Sequence, residues 1–435
     1  MGLLTVDDRA IFALALPAFA ALISEPLMLF ADTAIIGHLG TVQLAGLAVA
    51  STVLGTIVGL CVFLAYGSTA AVARHHGAGD DRGAMALGLS GLWLAAILGV
   101  ALGAVTAVLA GAITSGLSSS DRVAGQAHTY LLISCLGVPA MLVVLAATGA
   151  LRGVLDMRTP LIVMIAANVL NVILEVTLVF GFHTGIAGAA SGTVIAQWVA
   201  AIWLAAVVVR KARVAGSPVR PDVAEILGSA RQGVPLVIRT ATLRASLLIA
   251  TAVAATLGDA PLAAHQIAVA VVTLLAFALD AIAIAGQALT GRALGAGDAV
   301  RTRQLTRRMM GWGAVSGLLA TIVLLIFHTL VPALFSPDDN VQSVLVPVLV
   351  VVALIQPLSG IVFVLDGVLI GAGDGAYLAK AGLLVLLAYA PLVLIVWQRD
   401  AGLTWLWLAY GGFITARLIT LYARQRGDRW LVLGT

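Results

Sequence analysis

Apolar runs follow one another along the whole chain, separated by short polar or glycine-containing breaks, and within a run the apolar residues do not alternate with polar ones. Crossing a hydrocarbon layer about 30 Å thick takes about 20 residues of helix, whereas a membrane barrel requires alternation. In lipid the backbone must satisfy its own hydrogen bonds, so each run predicts a helix. Spans are expected at residues 11–36, 44–73, 84–113, 123–151, 160–180, 186–209, 224–257, 262–291, 309–331, 341–370, 377–397 and 403–422. The first is too long, and too polar at Glu25 and Asp32, for the core of a secretion signal, and is expected to stay in the mature protein.

A second pattern lies over the first. Displaced by 218 residues without gaps, the chain matches itself: Gly77-Ala78-Gly79-Asp80 returns as Gly295-Ala296-Gly297-Asp298, Arg74 as Arg292, Pro17 as Pro235, Pro139 as Pro357, and Gly153 and Asp156 as Gly371 and Asp374. A constant shift across six helices implies duplicated halves of the same topology. The predicted fold is an all-α integral membrane protein of about twelve helices in two pseudo-symmetric six-helix bundles. Residues 1–209 form the first, 231–435 the second, and 210–230 a cytoplasmic linker.

Composition agrees. Of 435 residues 61% are hydrophobic and 10% charged, more apolar surface than a water-soluble core can bury. The net charge of +4 matters less than its placement. Arg9, Arg74, Arg82, Arg152, Arg158, the Arg210 to Arg231 group, the Arg292 to Arg308 group, Lys380 and the tail's Arg417, Arg424, Arg426 and Arg429 fall on one side, against Arg122 and Arg399 on the other. Lys and Arg favour the cytoplasmic side, so both termini are expected there and a nucleic-acid surface is not. The preference for Arg over Lys, with abundant Ala and Gly, fits a GC-rich bacterial genome and a multi-pass location in the bacterial plasma membrane.

Cys61 and Cys135 fall inside spans and read as core residues, while His75 and His76 read as a solvated pair. No metal-ligand spacing, nucleophile elbow or phosphate loop occurs, so neither an enzyme nor a bound metal or cofactor is expected. Chemistry must come instead from ionisable residues inside spans, which are expensive in lipid unless paired or facing a hydrated cavity. Glu25 and Asp32 lie seven apart on one face of the first helix; Asn168, Asn171 and Glu175 share a face of the fifth. Asp32 and Glu175 fall at similar depth, so the stripes describe a polar pocket in the outer half. Burial favours the protonated form of a carboxyl, which suits it to exchanging a proton near neutral pH; hydrogen bonding between helices is the structural alternative.

The second half differs, with Arg239 and Arg244 in the seventh helix, Asp280 in the eighth and Asp366 in the tenth. Depth suits Arg244 to Asp280 and Arg239 to Asp366, although sequence leaves the partners open. Pro17, within the first helix, is a candidate hinge or a static kink. Gly55, Gly59, Gly99 and Gly103 read as points of close helix contact.

The strings FADTAIIGHLG at Asp32, ANVLNVILEVTLVFG and GIAGAASGTVIAQ across the fifth and sixth helices, IRTATLRA at Arg239, LDAIAIAGQALTGRALGAGD from Asp280 and FVLDGVLIGAGD at Asp366 occur in order over nearly the full length. Together they resemble the multidrug and toxic compound extrusion (MATE) family, in its DinF-like branch. That resemblance implies two six-helix lobes around a cavity and export of amphipathic, often cationic organic compounds against inward protons or sodium, with protons usual in this branch. It maps the family's first-helix aspartate onto Asp32 and its fifth-helix Asn and acid onto Asn171 and Glu175, the glutamate standing where aspartate is common. Arg239 and Arg244 occupy the region where sodium-coupled relatives carry a carboxylate.

The expected protein is a monomeric proton-coupled antiporter working by alternating access, with small organic molecules, protons and membrane lipid as its partners. Sodium-coupled export and flipping of a lipid-linked precursor are the alternatives. The acidic outer pocket suits a pyrophosphate-bearing lipid poorly.

Overall fold

The computed structural model describes residues 5–118 and 120–435, leaving the Glu25 side chain outside the description. Every regular element among them is helical: α1 (Val6–Gly37), α2 (Thr41–Leu60), α3 (Phe63–Gly77), α4 (Asp81–Leu117), α5 (Asp121–Cys135), α6 (Val138–Gly153), α7 (Arg158–Val176) and α8 (Gly185–Val214). A π-helical turn, Thr177–Gly181, follows α7. Then come α9 (Val223–Thr256), α10 (Asp259–Gly295), α11 (Ala299–Phe327), the short α12 (Leu330–Phe335), α13 (Asp339–Gly371), α14 (Gly375–Gln398) and α15 (Leu403–Arg426). Eleven stretches are long and apolar enough to cross a membrane, α2 and α3 counting as one, and α5 with α6, bent by 51°, makes a twelfth. The twelve runs of the sequence coincide with them. The ninth starts earlier than expected, at Ala299, because the basic segment through Arg308 is helical although too polar to register as a span.

The described residues divide into two compact units, one within residues 20–233 and the other made of residues 5–19 with 234–434. The halves drawn from the repeat keep residues 1–19 with the first bundle; the contacts of residues 5–19 run elsewhere. Asp8 is buried and accepts from Arg308 Nε and Nη2 at 2.6 Å each and from Trp312 Nε1 at 2.6 Å. Asp7 pairs with Arg301, and Phe12 meets Trp312 edge-on at 4.6 Å between centroids. Two acids in the first turn of α1, where the helix dipole favours them, are thus matched to the basic start of α11. The stretch assigned to a linker, 210–230, is largely helical, and Ser90 Oγ donates to Glu225 Oε2 at 2.6 Å within the first unit.

Repeat-related positions make repeat-related contacts in the two units. A Cβ added at Gly99 of α4 would run into the Cα of Pro139 on α6, and one at Gly317 of α11 into the backbone around Gln356 and Pro357 on α13. Gly149 lies against the Ala65 carbonyl as Gly367 lies against that of Ala283. Gly317→Ala is therefore expected to force two backbones apart, lowering unfolding stability by about 1–3 kcal/mol, read as an earlier thermal transition in detergent. Gly55→Ala is the control: the sequence reading placed a close contact there, but an added Cβ meets nothing within 4 Å. Gly103 does pack closely, against the Cys135 carbonyl.

The Gly-Ala-Gly-Asp motif is a helix-to-helix turn. Gly79 and Gly297 take φ of +79° and +76°, which glycine adopts without strain, and the aspartate that follows caps the next helix. Asp80 accepts from Gly83 N–H and Asp298 from Arg301 N–H, both at 2.8 Å. The Gly83 amide and the His75 ring hold the Asp80 carboxyl below the usual carboxylate range.

In one respect the halves differ. Where the first has α2 and α3 interrupted at Cys61–Val62, and α5 and α6 at Leu136–Gly137, the second has the continuous α10 and α13. Pro139 and Pro357 both lack an N–H to donate back along the helix, but the position two before them is Gly137 in one copy and Ile355 in the other. Gly137 itself keeps an ordinary helical φ of −87°, and Trp198 Nε1 donates to the Leu136 carbonyl at the break at 3.0 Å.

Candidate functional site

Three residues of the predicted polar pocket come together inside the unit of residues 20–233. Asp32 of α1 is 4% exposed, and Asn171 and Glu175 of α7 are fully buried. Asn171 and Glu175 are one turn apart, so one amide can serve both acids: Asn171 Nδ2 donates to Asp32 Oδ1 at 3.0 Å and to Glu175 Oε1 at 3.2 Å. Thr193 of α8 donates to the same Glu175 oxygen at 3.0 Å. It reaches that oxygen because the preceding residue is Gly192, whose missing side chain lets α8 close on Glu175; an added Cβ would sit 3.1 Å from the Glu175 Cγ. The π-helical turn begins two residues after Glu175, where the helix widens.

The cluster is short of donors. Asn171 Oδ1 and Glu175 Oε2 are buried acceptors without a donor. Among the described residues no Lys, Arg or His comes within ion-pair distance of either acid. Two carboxylates in an apolar interior repel each other and pay desolvation twice, and a proton on one of them both removes a charge and supplies a missing donor.

Asn168 is not part of this cluster. Its Nδ2 donates to the Ser24 carbonyl at 2.9 Å, clamping the α1 backbone beside Pro26. Glu25 lies outside the described side chains. Pro17 is inside α1, which stays helical through it. One neighbour of the acids has no signal in the sequence: Thr193 stands in a run of small residues.

The unit of residues 5–19 and 234–434 has the opposite electrostatic character. Asp366 of α13 is gripped by two guanidiniums: Arg239 of α9 bonds both its oxygens, one through Nε at 3.1 Å, and Arg417 of α15 donates from Nη2 at 2.8 Å. The pairing of Arg239 with Asp366 follows the depth argument. Arg417 corrects the sequence reading, which counted it in the basic tail; it is buried, five residues before Tyr422, on the helix that carries both. Beside this cluster a cavity of about 250 Å3 is lined by Asp280, Ser246, Gln356, Tyr410, Trp407 and Arg417. Arg244 precedes the cavity-lining Ser246 on α9.

The MatE family model matches residues 17–177 and again 235–395, one match on each half of the duplication. The chain belongs to the MatE family. Members of the MatE family are transporters, not enzymes. The match to DNA damage-inducible protein F of Escherichia coli is 35% identical over 212 residues, 48% of this chain and 46% of that one. Protein DETOXIFICATION 44, chloroplastic, of Arabidopsis thaliana is 29% identical over 94% of this chain and 80% of its own. The bent form of the Vibrio cholerae MATE transporter VcmN superposes with a TM-score of 0.88 over 97% of this chain and 98% of that one at 24% identity, so this MatE chain shares its fold.

Proposed function

We propose that this transporter exports amphipathic, often cationic organic compounds in exchange for protons, from a bacterial inner membrane with both termini in the cytoplasm. The observation that carries the reading is the Asp32–Asn171–Glu175 cluster: two buried acids sharing one amide, with orphaned acceptors and no cation beside them among the described residues. Membership of the MatE family supports export, as does the name of the Arabidopsis relative. A proton and a cationic cargo compete for the same negative charge. Protonation from the outer side releases cargo; loss of that proton to the cytoplasm restores the charge that captures the next molecule. In the second half Asp366 already has two cations, so the exchangeable proton belongs to the first.

Proteoliposomes under separately imposed gradients test the coupling. A proton gradient alone is expected to drive export of a cationic dye, and a sodium gradient alone to leave transport at the rate of protein-free vesicles. Export driven by sodium alone would replace this reading with sodium coupling.

A further inference from the structure

The two halves pack alike at the repeat-related glycines and at the Gly-Ala-Gly-Asp turns but part company at the turn between their fourth and fifth spans. In the second half Asp374, at the start of α14, is held by Arg424 of α15 through Nε at 2.6 Å and Nη2 at 3.1 Å, and the guanidinium lies 4.7 Å over the Tyr377 ring. These side chains fill the wedge between the start of α14 and the end of α15. The 218-residue displacement turns Asp374, Tyr377 and Arg424 into Asp156, Thr159 and Ala206. The acid is kept, and the ring and guanidinium are gone. In their place the first half has a groove of about 420 Å3 between the start of α7 and the end of α8.

Its lining is amphipathic along one direction. Ile162 and Trp203 form an apolar wall, 58% and 45% exposed. Two turns further along α8 from Trp203 come Arg210 and Lys211, which line the other end with Asp156. Asp156 is already satisfied, accepting from the Thr159 hydroxyl at 2.9 Å and its N–H at 3.1 Å, with Lys211 Nζ at 3.3 Å. Two cations against one acid leave a surplus positive charge at the head of an apolar groove on two membrane-spanning helices.

We propose that this groove is a binding site for one anionic phospholipid, its phosphate on Lys211 and Arg210 and an acyl chain along Trp203 and Ile162. Charge complementarity selects the occupant. A single phosphodiester neutralises the surplus charge, whereas the ammonium of a zwitterionic lipid would be set beside two cations. In the second half Arg424 and Tyr377 stand at the corresponding positions, on the acid itself.

The full-length protein, released from nanodiscs containing equal phosphatidylglycerol and phosphatidylcholine and weighed by native mass spectrometry, is expected to retain one phosphatidylglycerol. The double variant Arg210→Gln/Lys211→Gln should retain it about thirtyfold less, since each of the two cations near a membrane surface contributes about 1 kcal/mol. Thr159→Tyr/Ala206→Arg, which copies the plug of the second half, should lose it altogether. Undiminished retention in the glutamine variant, or equal retention of phosphatidylcholine, overturns the proposal. Should the plugged variant not fold, the glutamine variant decides by itself.

Discussion

Asp32→Asn is expected to reduce proton-driven dye export to the level of protein-free vesicles while leaving the protein folded. The amide is isosteric, and its oxygen still accepts from Asn171 Nδ2. Its new N–H groups lie beside a cluster that has buried acceptors to spare. Removing a buried charge without leaving an unpaired donor should change unfolding stability by no more than about 1 kcal/mol. Loss of transport with an unchanged thermal transition therefore reports on the proton and not on folding. Export by Asp32→Asn at the wild-type rate and with wild-type pH dependence would remove Asp32 from the coupling step.

Asp366→Ala should act the other way, through stability. It removes the carboxylate shared by the side chains of Arg239 and Arg417, which are only 12% and 11% exposed. Breaking a buried ion cluster at one member costs about 3–5 kcal/mol, because the remaining charges stay desolvated. A thermal transition well below that of the wild type, in detergent, is the expected result. The triple change Asp366→Leu/Arg239→Met/Arg417→Met removes charge and counter-charge together and should recover most of the loss. If Asp366→Ala unfolds with the wild type, the two guanidiniums are solvated and the cluster is not a structural clamp.

The spans were legible because hydropathy in lipid is a strong, local signal, and the duplication because its shift is constant. The acid cluster was half legible. The spacing of Asn171 and Glu175 on one helix face is visible in sequence, whereas Thr193 meets them only through packing of another helix. Asn168 has the right spacing and a different partner, since a face of a helix is wide enough to serve two neighbours. Residues 1–19 were assigned by chain order. Their contacts to Arg301 and Arg308, some 300 residues away, leave no local trace. Arg417 was misplaced because an arginine near a basic C-terminus looks like a topology signal until its carboxylate is seen.

The unequal continuity of the helices has a mechanical meaning. A helix hydrogen-bonded from end to end transmits torque along its length, while one with a joint lets its two arms bend separately. The copy bearing Asp366 keeps α10 as an unbroken lever, while α13, continuous in outline, loses backbone hydrogen bonds at Pro347 and Pro357. The copy bearing Asp32 and Glu175 is broken outright at Cys61–Val62 and Leu136–Gly137, so the full joints sit in the same half as the acids that would change charge.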